Sequence, residues 1–249
     1  MSPDSTSTAV VTGAGGGIGA AIAQALADAG HSVAVSDIDL EAAAGTAKLI
    51  TDRGGSAAAF QLDVTSSESV QALRSAVDEK LGPASVLVNN AGWGQPELFI
   101  DNEPAVWDKL VAVNFLGPVT VTRAFIDPMI ENESGRIVNI ASDAGRVGSS
   151  RETVYAGTKG GVIAFTKSLA RELARYTINV NCVCPGPTDT PLFHKHTDKM
   201  QDALVRAIPF GRLARPEEIA DAVAFFASDR ASFITGQVLS VSGGLTMVD

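Results

Sequence analysis

Seven short apolar runs, each separated from the next by a segment long enough to be a helix, leave this chain few ways to fold. Residues 8–12, 32–36, 57–62, 85–89, 136–141, 178–183 and 237–241 read as near-continuous runs of apolar and small residues. Between them the period changes. Ile18, Ile22, Ala25, Leu26 and Ala29 recur every three or four residues, and further helical stretches cover 40–51, 67–81, 104–129, 153–176 and 216–228. A strand that is apolar throughout is covered on both faces, and a helix-length crossover returns the chain to a parallel neighbour. Right-handed crossovers then give a single α/β domain over residues 1–249. The expected architecture is a doubly wound (Rossmann) parallel seven-stranded sheet with helices on both faces. No repeat or linker divides the chain. One irregular stretch, from Pro185 to about Gln201, is full of Pro, Thr, His and Lys, and loops of that length are usually lids or binding loops. A substrate lid is expected at about 187–207.

Composition narrows the function. The chain has 249 residues, of which 45% are hydrophobic and 19% charged, which excludes a disordered tail, a collagen-like chain and a coiled coil. A net charge of -9 repels polyanions, and without a basic patch nucleic acid is not an expected partner. Cys182 and Cys184, two apart in a strand, point to one face and do not bridge readily, so a reduced, cytoplasmic protein is expected. The first residues lack the pattern of a signal peptide, and no run of 18 apolar residues occurs, so no membrane span is expected. His194 and His196 have no third ligand near them in sequence, and His31 sits in a turn; no metal site is expected.

The turn after the first strand reads Thr12-Gly13-Ala14-Gly15-Gly16-Gly17-Ile18-Gly19 and opens a helix. At the carboxyl end of a parallel sheet such a turn brings bare backbone and a helix N-terminus up to a pyrophosphate. The spacing is Gly-x-x-x-Gly-x-Gly, and alone it equally describes an empty strand–helix turn. Asp37, 18 residues past Gly19 and at the end of the second strand, favours binding. Its carboxylate suits ribose hydroxyls and would repel a 2′-phosphate, so NAD is the expected cofactor. A helix cap is the other use for an acid here, and Asp39 is better placed for it. Asp63, after the third strand, can accept from an adenine amino group or serve as a surface cap.

Tyr155 and Lys159 share one face of a helix, about 6 Å apart along its axis. A phenol titrates near pH 10, and lowering it by roughly three units needs about 4 kcal/mol of preferential stabilisation of the phenolate. The expected sources are the adjacent ammonium and a cationic nicotinamide. Alone, Tyr-x-x-x-Lys is a common surface pair. Ser142, at the carboxyl end of the strand over 136–141, could polarise a substrate carbonyl toward Tyr155 or cap a turn. Asn114 is unfavoured inside a helix; a bend whose freed carbonyl holds water toward Lys159 would explain it, as would a solvent-facing side chain.

These residues, with Asn89-Asn90-Ala91-Gly92, Pro185-Gly186 and Ser242-Gly243-Gly244, resemble the short-chain dehydrogenase/reductase family along essentially the whole chain. The resemblance implies a catalytic tetrad of Asn114, Ser142, Tyr155 and Lys159, with Lys159 also on the nicotinamide ribose. It implies NAD contacts from Gly13, Gly17, Ile18, Gly19, Asp37, Asp63, Val64, Asn90, Ala91, Gly92, Pro185, Gly186, Thr188 and Thr190. It implies homotetramers that pack through the two long helices. The segments 140–150, 184–190 and 233–247, with Trp93, resemble dehydrogenases of the 2-hydroxycyclohexanecarboxyl-CoA type, which oxidise a β-hydroxyacyl-CoA with NAD. Trp93 and Arg146 are then substrate candidates, and His194, Lys195, His196 and Lys199 are candidates for CoA phosphates. The 3-oxoacyl-carrier-protein reductases, dehydrogenases of simple alcohols and a non-catalytic dinucleotide-binding scaffold are the contrasting readings.

Overall fold

All seven apolar runs become strands, and every pairing is parallel. The computed structural model describes residues 7–195 and 197–248. The strands are β1 (Thr8–Thr12), β2 (Ser32–Asp37), β3 (Ser56–Gln61), β4 (Ala84–Asn89), β5 (Gly135–Ile140), β6 (Ile178–Pro185) and β7 (Val238–Val241). They lie in the order β3-β2-β1-β4-β5-β6-β7. The winding reverses between β1 and β4, which opens a crevice at the carboxyl ends of these strands.

Two apolar layers explain the unbroken runs. On one face Ala9 and Val11 of β1 pack with Ile22 and Leu26 of α1 (Gly17–Asp28), Ile50 of α2 (Leu40–Asp52), and Ile219 and Phe226 of α9 (Pro216–Ala227). On the other, Val10 packs with Leu73 of α3 (Ser67–Leu81), Phe125 and Met129 of α5 (Gly117–Glu131), and Leu173 of α7 (Thr153–Leu173). Apart from Ala9, each of these side chains contributes roughly 1.5–3 kcal/mol by leaving water. A buried polar chain crosses the second layer. Asn89 Nδ2 donates to Thr122 Oγ1 at 2.9 Å and to Asn139 Oδ1 at 2.8 Å, Asn139 Nδ2 donates to Thr166 Oγ1 at 2.9 Å, and Thr166 in turn donates to the Val162 carbonyl.

Helix ends follow their local chemistry. Asp39 Oδ1 accepts from the N–H groups of Glu41 and Ala42 and so caps α2, which leaves Asp37 free of that task. The helix expected over 104–129 is not continuous. It divides into α4 (Pro104–Val111), a π-helical turn at Ala112–Leu116, and α5. Pro104–Glu131 is long and apolar enough, by length and composition, to cross a membrane. Here its inner side chains Leu110, Val121, Phe125 and Met129 are buried against the protein's own core.

The stretch expected to be irregular up to about Gln201 is partly helical. α8 (Asp198–Ala207) starts inside it, and its charged residues hid a face on which Met200 and Leu204, one turn apart, turn to the main cavity. A single-turn helix, α6 (Ala144–Val147), follows Ser142 and was not legible in advance. Cys182 and Cys184 are buried thiols with their Sγ atoms 4.0 Å apart, on one face of β6 as expected.

Candidate active site

The nucleotide end is built from the β1–α1 turn. Gly13 and Gly17 have φ of +64° and +53°, and a Cβ on Gly13 would lie 2.7 Å from the Ala91 Cα. A Cβ on Gly19 would overlap the Gly13 carbonyl oxygen. The turn is pinned from β4. Asn90 Nδ2 donates to the carbonyls of Thr12 and Gly13 at 3.0 and 2.9 Å, while Thr12 Oγ1 accepts from the N–H groups of Asn90 and Ala91. No side chain caps the N-terminus of α1. Asp37 Oδ2 accepts from Gly15 N at 2.9 Å and Oδ1 from Asp39 N at 3.1 Å, which leaves each oxygen a second lone pair. A backbone stripped of Cβ atoms, an uncapped helix N-terminus and a carboxylate with acceptor capacity fit a dinucleotide. Asp63 lines the cavity, and its Oδ1 accepts from the N–H and hydroxyl of Thr65, while Ser66 is the residue that caps the following helix.

The reacting end lies where α7 passes the ends of β5 and β6. Lys159 is 4% exposed, and its Nζ donates to the Ile140 carbonyl at 2.9 Å. The same Nζ sits 5.8 Å from the centroid of the Tyr155 ring. Ser142 Oγ accepts from Ala144 N at 3.1 Å, and its hydroxyl lies close enough to the Tyr155 phenol to act on its titration. Gly145 brings α6 onto α7, because a Cβ there would lie 2.7 Å from the Lys159 carbonyl carbon. Asn114 occupies the π-helical turn, fully buried, and its amide clasps Trp93: Oδ1 accepts from Trp93 N at 2.9 Å and Nδ2 donates to Trp93 O at 2.8 Å. Asn114 Oδ1 and Lys159 Nζ flank Gly92, where a Cβ would meet them at 3.2 and 3.6 Å. The expected break in the helix is present, and the solvent-facing alternative for Asn114 is not.

Burial dominates the electrostatics of Tyr155 and Lys159 in the chain without its cofactor. Burial, and then the negative charge of Glu152, push the Tyr155 phenol above its usual range, while the nearby Ser142 hydroxyl pulls it down. The chain alone therefore does not make the phenol acidic. Lys159 itself is lowered from 10.5 to about 8, because its ammonium is desolvated.

Both ends open into one cavity of about 820 Å³. Gly13, Gly17, Ile18, Gly19, Asp37, Asp63, Val64, Asn90, Ala91, Gly92, Trp93, Ser142, Tyr155, Lys159, Pro185, Gly186, Thr188 and Thr190 all line it. Asn114 stands behind the wall. Arg146 is directed elsewhere: its guanidinium donates to Ser240 Oγ at 2.8 Å and to the Val248 carbonyl at 2.9 Å. His194 pairs with Asp189 at 2.8 Å, which raises the imidazole, and neither it nor Lys199 lines the cavity. The Lys195 side chain and His196 lie outside the described residues.

Sequence reasoning missed Lys109 and Glu152, which line the cavity, because each sits among other charges on a helix or turn. It also missed Asp143, whose Oδ1 accepts from Ser240 while Oδ2 is buried without a partner. Adjacency to Ser142 was the only signal available for it.

A dinucleotide turn at the switch point of a doubly wound sheet, facing Ser142, Tyr155 and Lys159 across one cavity, defines an oxidoreductase that uses a nicotinamide cofactor. A family model described as enoyl-(acyl carrier protein) reductase matches residues 13–246. The chain belongs to the short-chain dehydrogenase/reductase family. It is 41% identical to a (3R)-3-hydroxyacyl-CoA dehydrogenase of Homo sapiens, over 96% of this chain and 95% of that protein. It is 37% identical to a 3-oxoacyl-acyl-carrier-protein reductase of Thermotoga maritima, over 96% and 97% of the two chains. It is 38% identical to nodulation protein G of a Rhizobium strain, again over 96% and 97%.

Proposed function

We propose that the protein is an NAD-dependent dehydrogenase that oxidises the secondary alcohol of a β-hydroxyacyl-CoA to the ketone. The observation that carries the reading is that Ser142, Tyr155 and Lys159 line one wall of a cavity that continues to Asp37 and the glycine turn. When bound, NAD+ supplies the hydride acceptor and a positive charge beside the phenol. Ser142 holds the substrate oxygen, and Tyr155 takes its proton in oxidation or returns it in reduction. Lys159 and Asn114 fix the geometry beneath them. Asp37 supports NAD over NADP, since a 2′-phosphate would face its carboxylate, and Lys109 and Lys159 are the only cations among the described residues of the cavity.

The (3R)-3-hydroxyacyl-CoA dehydrogenase relatives support a CoA thioester. The 3-oxoacyl-acyl-carrier-protein reductase relatives favour a second reading, reduction of the corresponding ketone. A homotetramer in the cytoplasm completes the proposal. Val111 and Leu116, 38% and 51% exposed on the α4–α5 segment, offer apolar surface to a second copy, and the unbridged thiols suit a reducing compartment.

The test follows absorbance of NADH while β-hydroxyacyl-CoA esters, free hydroxy acids and cyclic alcohols are offered in turn. Activity on the CoA esters that disappears in Tyr155→Phe, with NAD binding retained, is the expected result. Activity confined to free alcohols refutes the thioester reading, and an undiminished Tyr155→Phe refutes the proton transfer.

A further inference from the structure

Ser142, Tyr155 and Lys159 account for the reacting end of the cavity, and Asp37 with the glycine turn for the nucleotide end. One ammonium on the wall has no part in either. Lys109 of α4 holds its Nζ 4.3 Å from the centroid of the Trp93 ring, and both residues line the cavity. The backbone that carries the indole is held, because Asn114 grips both the N–H and the carbonyl of Trp93. It is also next to the chemistry: a Cβ on Gly94 would lie 3.9 Å from Cδ2 of the Tyr155 ring and 3.7 Å from the Leu192 side chain. A substrate held at Tyr155 can therefore continue past Gly94 and Trp93 to Lys109.

The charges around the cavity give that path a sense. Lys159 is buried and committed to Ile140, whereas Lys109 is exposed and, among the described residues, makes no hydrogen bond or ion pair. Glu152 also lines the cavity, and its field reaches the Tyr155 oxygen. Glu152 disfavours an anion along its own part of the wall, and Lys109 attracts one at the other end of the path. The indole covers one side of the ammonium, which leaves the other side open for a direct ionic hydrogen bond.

Building on the dehydrogenase reading above, we propose that Lys109, steadied on Trp93, binds an anionic group of the substrate, either a phosphate or a carboxylate, and sets specificity. The test presents one β-hydroxyacyl group in three forms: the CoA thioester, the uncharged N-acetylcysteamine thioester and the free acid. The readout is each charged form's kcat/KM relative to that of the uncharged ester. Lys109→Met is expected to lower one of these ratios by about tenfold, the scale of one charge-assisted hydrogen bond, and Lys109→Arg to restore most of it. A fall for the CoA form identifies phosphate as the anion, and a fall for the free acid identifies carboxylate. Equal losses on all three forms, or no loss, overturn the proposal and leave the dehydrogenase reading standing. A wild-type enzyme inert toward all three refutes that reading, and this proposal with it.

Discussion

Replacing Lys159 by Met should remove activity and, at neutral pH, stabilise the nucleotide-free protein. The ammonium is 4% exposed and its titration is lowered from 10.5 to about 8 by burial. That difference is between two and three pK units, or roughly 3 kcal/mol. Because the folded value is the lower one, the unfolded chain binds more protons between pH 8 and 10.5. Stability due to this group therefore rises with pH across that window, and below pH 8 the full cost of the buried charge is present. Met has similar length and no charge, so it removes this cost. It also leaves the Ile140 carbonyl without its donor, which takes back about 1 kcal/mol. The expected gain at pH 7 is about 2 kcal/mol, or roughly 4–8 °C in Tm for a chain of this size. The gain should shrink and then reverse as pH approaches 10.5. Urea denaturation of wild type and variant from pH 7 to 10.5, at one protein concentration, measures the difference and cancels the other titrating groups. Parallel curves would refute the argument, as would a variant that is less stable than wild type at pH 7.

Two further substitutions address the nucleotide end. Asp37→Ala should lower the preference for NAD over NADP by at least tenfold, read as a ratio of kcat/KM values; an unchanged ratio would mean that the carboxylate only braces Gly15. Gly19→Ala should abolish nucleotide binding, measured by NADH fluorescence, since the new Cβ would overlap the Gly13 carbonyl, and circular dichroism should show the sheet retained. Normal binding would show that the turn adjusts freely.

The strands were legible because they are central and covered on both faces, so period and composition agree with the tertiary environment. The Asp37–Asp39 division of labour could be read for the same reason: a cap is a local property. Asn114 announced a break because an Asn is a poor guest in a helix interior, yet its clasp on Trp93 joins residues 21 apart and left no trace in sequence. Arg146 shows the limit most plainly. Its partner Ser240 lies 94 residues away, and the same guanidinium would have looked equally suited to a phosphate. α8 was hidden by its charges, and the direction in which Tyr155 shifts by a desolvation that only the folded environment determines.

The line of amides and hydroxyls from Asn89 through Asn139 to Thr166 bears on precision rather than strength. Greasy surfaces glide over one another with little penalty for a small offset, but directional bonds tolerate almost none. Thr166 lies three turns beyond Tyr155 on the same side of α7, so rolling or sliding that helix would strand a donor in a dry interior at about 1–3 kcal/mol. The phenol's aim is thus locked from the middle of the sheet, by groups well away from the reacting atoms.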